Sequence, residues 1–66
     1  MQLIVNGKQT SVPEGMTLTA LLTRKKLNTA VLIVEHNARI VPQSEWPEIL
    51  LRPEDTVEIV SFVGGG

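Results

Sequence analysis

The chain contains one helical pattern, set between stretches that alternate as strands. Leu18, Leu21 and Leu22 recur at the spacing of a single apolar helix stripe. Thr17 precedes them as a natural N-cap. We predict a helix from Leu18 to Lys26, which ends in a basic run that suits the negative end of the helix dipole. Such a helix must bury its stripe against another element, and the rest of the chain offers mainly strands.

Strand and turn signals fill the remaining sequence. Asn6-Gly7 follows an apolar-polar alternation and is the dipeptide that best suits a type I′ hairpin turn. The predicted elements are, in order, strands at 1–5 and 8–12, the helix, a strand at 30–36, a short extended piece at 39–41, a helical turn capped by Ser44 and limited by Pro47, an ambiguous apolar piece at 49–51, a turn at 52–55 and a last strand at 56–63.

This order predicts an α+β fold of the β-grasp, or ubiquitin-like, type. A mixed sheet of four to five strands would carry one long helix across one face, with its first and last strands parallel at the centre. The 66 residues make one domain, which we place at 1–63, with 64–66 as a flexible tail. A chain this short has no room for two lobes around a catalytic cleft. A carrier or binding module is expected, and not an enzyme.

Composition excludes several function classes. There is no cysteine, so disulfides, thiolate nucleophiles and cysteine metal sites are excluded. The net charge of -1 lacks the basic footprint of a nucleic-acid binder. No apolar run is long enough to cross a membrane, and no signal peptide follows Met1. We therefore predict a cytoplasmic protein with no nucleic-acid or membrane partner.

Two polar features receive structural interpretations. His36, the only histidine, is in phase with Leu32 and Val34, so we expect an ordinary residue at a strand end. One histidine cannot form a histidine zinc cluster. The pair Glu54-Asp55 lies in a predicted turn, where we expect solvated carboxylates. The chain also has no internal glycine-rich phosphate loop, so no intrinsic ATP site is visible.

The terminal glycines are the feature that points to chemistry. Gly64, Gly65 and Gly66 have no side chains to pack and can extend about 10 Å beyond the last strand. So thin a backbone can thread a narrow tunnel in a partner and present the Gly66 carboxylate there. A carboxylate is a poor electrophile until activated, so the partner would supply ATP, metal and oxyanion stabilisation. Taken alone, the tail fits a frayed end equally well.

Strand phase predicts an apolar patch on the sheet face that the helix leaves open. If Val57 and Ile59 face the helix, the alternate positions of the last strand are exposed. An open apolar patch usually marks a partner surface. The acidic excess in residues 45–66 either steers this end toward a basic cleft or is simply a solvated surface. The predicted patch comprises Ile4, Ile33, Val60 and Phe62.

The whole chain resembles the ThiS-type sulfur carriers of the ubiquitin-like family. The resemblance is carried by the segments from Met1 to Gly7, from Ile40 to Trp46 and from Asp55 to Gly66. Gln43 and Glu54 stand where family members often carry arginine and glycine. These departures affect surface turns and the details of partner contact, not the tail. A third terminal glycine follows the usual pair.

The resemblance implies a sulfur carrier for thiazole formation in thiamine biosynthesis, which is not itself an enzyme and binds no cofactor. Gly66 would be adenylated by a ThiF-like enzyme that uses ATP and magnesium. It would then become a thiocarboxylate, with sulfur drawn indirectly from a cysteine desulfurase, and pass that sulfur to a ThiG-like thiazole synthase. Gly64 and Gly65 would form the thin neck before the reactive end.

Three alternative functions stay open. The chain fits a MoaD-like sulfur carrier for molybdopterin, although those chains usually run longer. It also fits a ubiquitin-type modifier joined to lysines of other proteins. A non-covalent β-grasp interaction module is the third alternative, for which the tail would be irrelevant. Deleting Gly65-Gly66 would abolish function in the covalent classes and spare the last.

Overall fold

The sheet and its helix follow the predicted β-grasp order. The computed structural model describes residues 1–27 and 31–61 and contains a five-stranded mixed sheet with strand order β2-β1-β5-β3-β4. The central strands β1 and β5 are parallel, and the other neighbours are antiparallel. The elements are β1 (Gln2–Val5), β2 (Lys8–Ser11), helix α1 (Leu18–Arg24), β3 (Leu32–His36), β4 (Arg39–Ile40), a 3₁₀ helix (Gln43–Glu48) and β5 (Thr56–Ser61).

The first hairpin forms for the predicted reason. Asn6 and Gly7 have φ angles of 50° and 79°, the left-handed values that a type I′ turn requires. The turn fixes a register in which Val5 lies opposite Lys8. Leu3 and Val5 then point to the helix side and are buried.

Helix α1 begins as predicted but is shorter than the one long helix expected. Thr17 Oγ1 accepts a hydrogen bond from the Ala20 N–H at 3.1 Å, which caps the first turn. The helix has seven residues and ends at Arg24 instead of Lys26. Lys26 adopts a left-handed φ of 58°, and its N–H donates to the Thr23 carbonyl at 3.0 Å. This C-terminal turn is usually made by glycine, so a lysine at this position does not predict it.

The second helical segment differs from the predicted turn in its cap and in the place of its proline. Pro42, not Ser44, occupies the N-cap, and Pro47 lies inside the 3₁₀ helix. Glu45 N–H donates to the Pro42 carbonyl at 2.9 Å. Trp46 is buried, and its Nε1–H donates to the Val41 carbonyl at 3.0 Å. A short 3₁₀ segment tolerates an internal proline because few of its N–H groups need a partner within it.

The core lies between the sheet and the two helical segments. The ambiguous piece 49–51 is a short extended segment, in which Leu50 bridges Thr17 beside the start of α1. No helix in ranges 1–27 and 31–61 is long and apolar enough to cross a membrane. Residues 30, 62 and 63, which we predicted to lie in strands, are outside the described residues. The buried core consists of Leu3, Val5, Val12, Leu18, Leu21, Leu22, Val34, Val41, Trp46, Leu51 and Val57.

Candidate functional site

Strand β5 carries the candidate site because the glycine tail follows it in the chain. It pairs with β1 at its beginning and with β3 from Val57 to Ser61, which lies opposite Leu32. The predicted site residues Phe62, Gly64, Gly65 and Gly66 lie outside the described residues. The structure therefore places the strand that leads to the tail, and the surface around that strand.

Asn6 secures the second half of β5 through a contact that sequence reasoning missed. Its N–H donates to the Val57 carbonyl at 2.9 Å, and its Oδ1 accepts from the Ile59 N–H at 2.7 Å. Because β1 ends at Val5, these bonds continue the pairing of β5 past its parallel neighbour. The predicted parallel pairing of the first and last strands places Asn6 beside β5, but it does not define the register that brings Asn6 to Ile59.

A depression of about 410 Å³ opens beside this end of β5 on the helix side. Its walls combine the apolar residues Leu27, Leu32 and Ile59 with polar residues, among them Lys25. Leu32 and Ile59 face the helix, so the depression is separate from the open face of the sheet. The lining residues are Asn6, Lys25, Leu27, Leu32, Ile59 and Ser61.

The sheet face away from the helix is left open by the described elements. Val57 is fully buried and Ile59 is partly buried, whereas Val60 is 56% exposed. Ile33 is 41% exposed and lies directly opposite Val60 across β3 and β5. The structure thus brings together two of the predicted patch residues.

The other end of this face differs from the predicted patch. Ile4 lies opposite Thr56, and Val60 is four positions further along β5, about 13 Å away. Ile4 is therefore not a neighbour of Val60. Ile40, which the sequence interpretation omitted, is 64% exposed and lies opposite Glu35 on the same open face. Its inclusion depends on the register of β3 and β4, which the sequence pattern did not define.

A polar cluster fixes the beginning of β5, at the end away from the tail. His36 Nε2 donates to Asp55 Oδ2 at 2.8 Å, and Asn37 Nδ2 donates to Asp55 Oδ1 at 3.1 Å. The Arg52 N–H donates to Asp55 Oδ2 at 3.0 Å. The Asp55 side chain is only 12% exposed, so the expectation that it is solvated is wrong. The turn wraps around the carboxylate because these three donors converge on it.

The cluster also shifts the acidity of its carboxylate. Burial raises the pKa of Asp55, but the hydrogen bonds from His36, the Arg52 backbone and Asn37 outweigh it, so the pKa lies below its ordinary value. His36 occupies the strand end that its phase predicted. Across the described ranges, no three histidine or carboxylate groups come together in a way that could hold a metal ion. The hydrogen bonds of the cluster join the β3–β4 turn to the turn at 52–55, which is a structural role.

Comparison with known proteins agrees with this architecture over the whole chain. Residues 2–66 match the sequence model of the ThiS family. The sulfur carrier protein ThiS of Bacillus subtilis is 37% identical over 63 residues, which cover 94% of this chain and 96% of that protein. The crystal structure of the thiamine biosynthesis protein ThiS from Geobacter metallireducens has a TM-score of 0.88 and 32% identity, with 100% of both chains covered.

Larger proteins also contain a similar segment. A thiazole synthase of Paramagnetospirillum magneticum is 36% identical over 66 residues, which are 100% of this chain and 20% of that protein. A thiazole synthase of Magnetococcus marinus is 30% identical over the same length and share. The chain thus spans about a fifth of the length of these synthases. Because the family match covers nearly every residue and the ThiS structure superposes along its full length, the chain belongs to the ThiS family.

Proposed function

We propose that this chain is a sulfur carrier that supplies sulfur for thiazole formation in thiamine biosynthesis. The observation that carries the proposal is the family match over residues 2–66, which includes the terminal glycines. Similarity to the ThiS carrier of Bacillus subtilis along almost the whole of both chains supports it. Similarity to two thiazole synthases supports a ThiG-like synthase as the recipient of the sulfur.

The chemistry takes place at the Gly66 carboxylate. A carboxylate oxygen attacks the α-phosphorus of ATP on a ThiF-like enzyme, and pyrophosphate leaves to give an acyl-adenylate. A persulfide, formed when a desulfurase takes sulfur from cysteine, then attacks the acyl carbon and displaces AMP to give an acyl disulfide. A thiol reduces the S–S bond of that acyl disulfide, which leaves the thiocarboxylate on Gly66 and forms a disulfide on the sulfur donor. The enzyme supplies magnesium and oxyanion stabilisation. The carrier supplies the acyl group and a docking surface, so it acts as a protein co-substrate.

The glycine neck gives a first test of this chemistry. We expect Gly65→Ala to slow adenylation, because an added Cβ must enter the tunnel that admits a bare backbone. The measurement is ATP–pyrophosphate exchange by the adenylating enzyme of the same organism. Thr23→Ala, on the exposed surface of α1, is the control. Equal exchange rates for both variants and the unmodified chain would contradict a role for the thin neck.

The open face gives a second test, independent of the tail. We expect Val60→Asp to raise the dissociation constant for the adenylating enzyme by about ten-fold or more, because a charge then enters an apolar contact. Leu50→Asp is the matched control, since Leu50 is 54% exposed but lies beside the start of α1. If both variants bind equally well, the docking surface lies elsewhere on the molecule.

A further inference from the structure

The open face of the sheet has a row of acidic side chains next to an apolar pair. Glu35 lies directly opposite Glu58 across β3 and β5, and Ile40 continues this row on β4. The neighbouring row toward the end of β5 is the pair Ile33 and Val60. Rows on one face of a strand are about 7 Å apart. The two carboxylates therefore lie within reach of anything that contacts the apolar pair.

The acidic row is bordered by an apolar residue on its other side as well. Ile4 is opposite Thr56, one outward position before Glu58 on β5. Apolar side chains thus lie on three sides of the facing carboxylates. They are Ile40 on β4, the pair Ile33 and Val60 on β3 and β5, and Ile4 on β1. A partner that covers this face would enclose the acidic pair and remove water from it.

The two carboxylates oppose each other without compensation from the chain. Cβ atoms of directly opposite residues are about 4.5–5.5 Å apart, and like charges at that position destabilise a sheet. Within residues 1–27 and 31–61, neither Glu35 nor Glu58 forms an ion pair. The outward positions of the described strands also carry no lysine or arginine. Glu35 is only partly exposed, so water does not fully relieve the repulsion.

We propose that Glu35 and Glu58 receive an arginine side chain of the protein that docks on this face. A guanidinium is planar and has five N–H donors, so one group bridges two carboxylates. Its charge would turn a repulsion into two charge-assisted contacts, which strengthen as the surrounding apolar rows exclude water. The flanking rows require apolar side chains beside that arginine, within about 7 Å on the partner.

The same charges argue against two other occupants. A second copy of this chain placed face to face would bring four carboxylates together, and the outward positions of the described strands offer no lysine or arginine in either copy. A nucleic acid carries phosphate charges of the same sign. The pattern therefore fits a different protein, whose apolar surface carries an arginine. This deepens the docking part of the proposed function and rests on it for the choice of partner.

The test compares two double variants that change the net charge equally. Glu35→Gln with Glu58→Gln removes the acidic row, and Glu14→Gln with Glu48→Gln removes two exposed acids outside the sheet. Binding to the adenylating enzyme of the same organism is measured by calorimetry at low and high salt. We expect the first double to raise the dissociation constant at least about ten-fold, and the control to change it less than about two-fold.

Stability of the free carrier supplies a readout that does not depend on the partner. Removing the repulsion should lower the unfolding equilibrium constant of the first double about two- to five-fold. Equal binding by the two doubles, or a first double that is less stable than the unmodified chain, would overturn the inference.

The result also separates this inference from the proposed function. If the unmodified chain binds the enzyme but is not adenylated, the proposed chemistry is wrong. The binding data on the two double variants then still decide whether the acidic row receives an arginine. A chain that is adenylated equally well with and without the row contradicts only the inference. A chain that neither binds nor reacts overturns both.

Discussion

At the scale of single residues, Asp55 organises the beginning of the last strand. It accepts hydrogen bonds from the His36 ring, the Asn37 amide and the Arg52 backbone, at 2.8 to 3.1 Å. Asn37 Oδ1 in turn accepts from the Thr56 N–H at 2.9 Å, at the first residue of β5. One carboxylate thus joins two turns to the strand that carries the tail. Loss of this carboxylate should lower the stability of the fold and change how that stability depends on pH.

We expect Asp55→Asn to destabilise the fold by about 1–3 kcal/mol, because in either orientation the amide places its NH₂ group against at least one existing donor. Chemical denaturation at pH 7 measures the effect. Glu54→Gln, the adjacent exposed acid, removes the same charge and should change stability by less than about 0.5 kcal/mol. Similar losses in both variants would show that net charge, and not the hydrogen bonds, is responsible.

The same carboxylate predicts how stability changes in acid. The pKa of Asp55 is lower in the fold than its ordinary value, so its contribution is complete above about pH 4, near the unfolded pKa. That contribution is lost as the pH falls through the lowered folded pKa. Denaturation of the unmodified chain and of Asp55→Asn between pH 6 and pH 2 should therefore converge. A difference that stays constant to pH 2 would contradict this assignment.

The sequence predicted part of this cluster. Strand phase placed His36 at a strand end, because alternation along β3 depends only on neighbouring residues. Its partner Asp55 was expected to be solvated. Their contact forms only because the fold brings the β3–β4 turn next to the turn at 52–55. That arrangement is a property of the whole sheet. Asn6 illustrates the same limit, since its turn was predictable and its bond to Ile59 was not.

Some element boundaries follow local signals, whereas the end of α1 and the start of the 3₁₀ segment do not. The hairpin turn and the Thr17 cap are local, and both form as predicted. The helix ends early because Lys26 takes a left-handed conformation that lysine seldom adopts. The 3₁₀ segment starts from Pro42, a residue with no capping side chain. Neither geometry follows from the local preference of the residue that adopts it.

At the start of α1, we expect Thr17→Ala to cost about 1 kcal/mol of stability, because the cap to the Ala20 N–H is lost. Thr17→Ser keeps the hydroxyl and serves as the control. Thermal denaturation of both variants checks the prediction. A serine variant as unstable as the alanine variant would place the effect in the methyl group.

At the end of β5, we expect Asn6→Gly to leave the hairpin intact and to free the Ile59 amide. Glycine tolerates the left-handed φ of 50°, but it lacks the Oδ1 acceptor at 2.7 Å. Hydrogen exchange of the Ile59 N–H should become faster, whereas that of the Val57 N–H should not. Equal acceleration at both amides would indicate that the whole hairpin had loosened.

At the scale of the whole molecule, one face of the sheet packs into the core and the other face stays exposed. The helix, the 3₁₀ segment and the buried sides of β1, β3 and β5 form one core, whereas Ile33, Ile40 and Val60 stay exposed. The parallel pairing of the first and last strands was predictable from element order. The place of Ile4, far from Val60, was not, because it follows from the register of β1 against β5.

The central claim concerns Gly66, and one mass measurement tests it most directly. The protein is incubated with ATP, magnesium, a sulfur source and the adenylating enzyme of its own organism, and its intact mass and C-terminal fragments are determined. We expect the mass to rise by the exchange of one oxygen for one sulfur, located on Gly66, and a chain lacking Gly65-Gly66 to stay unchanged. Conjugates of higher mass without that exchange, or no change at all, would contradict the sulfur-carrier account.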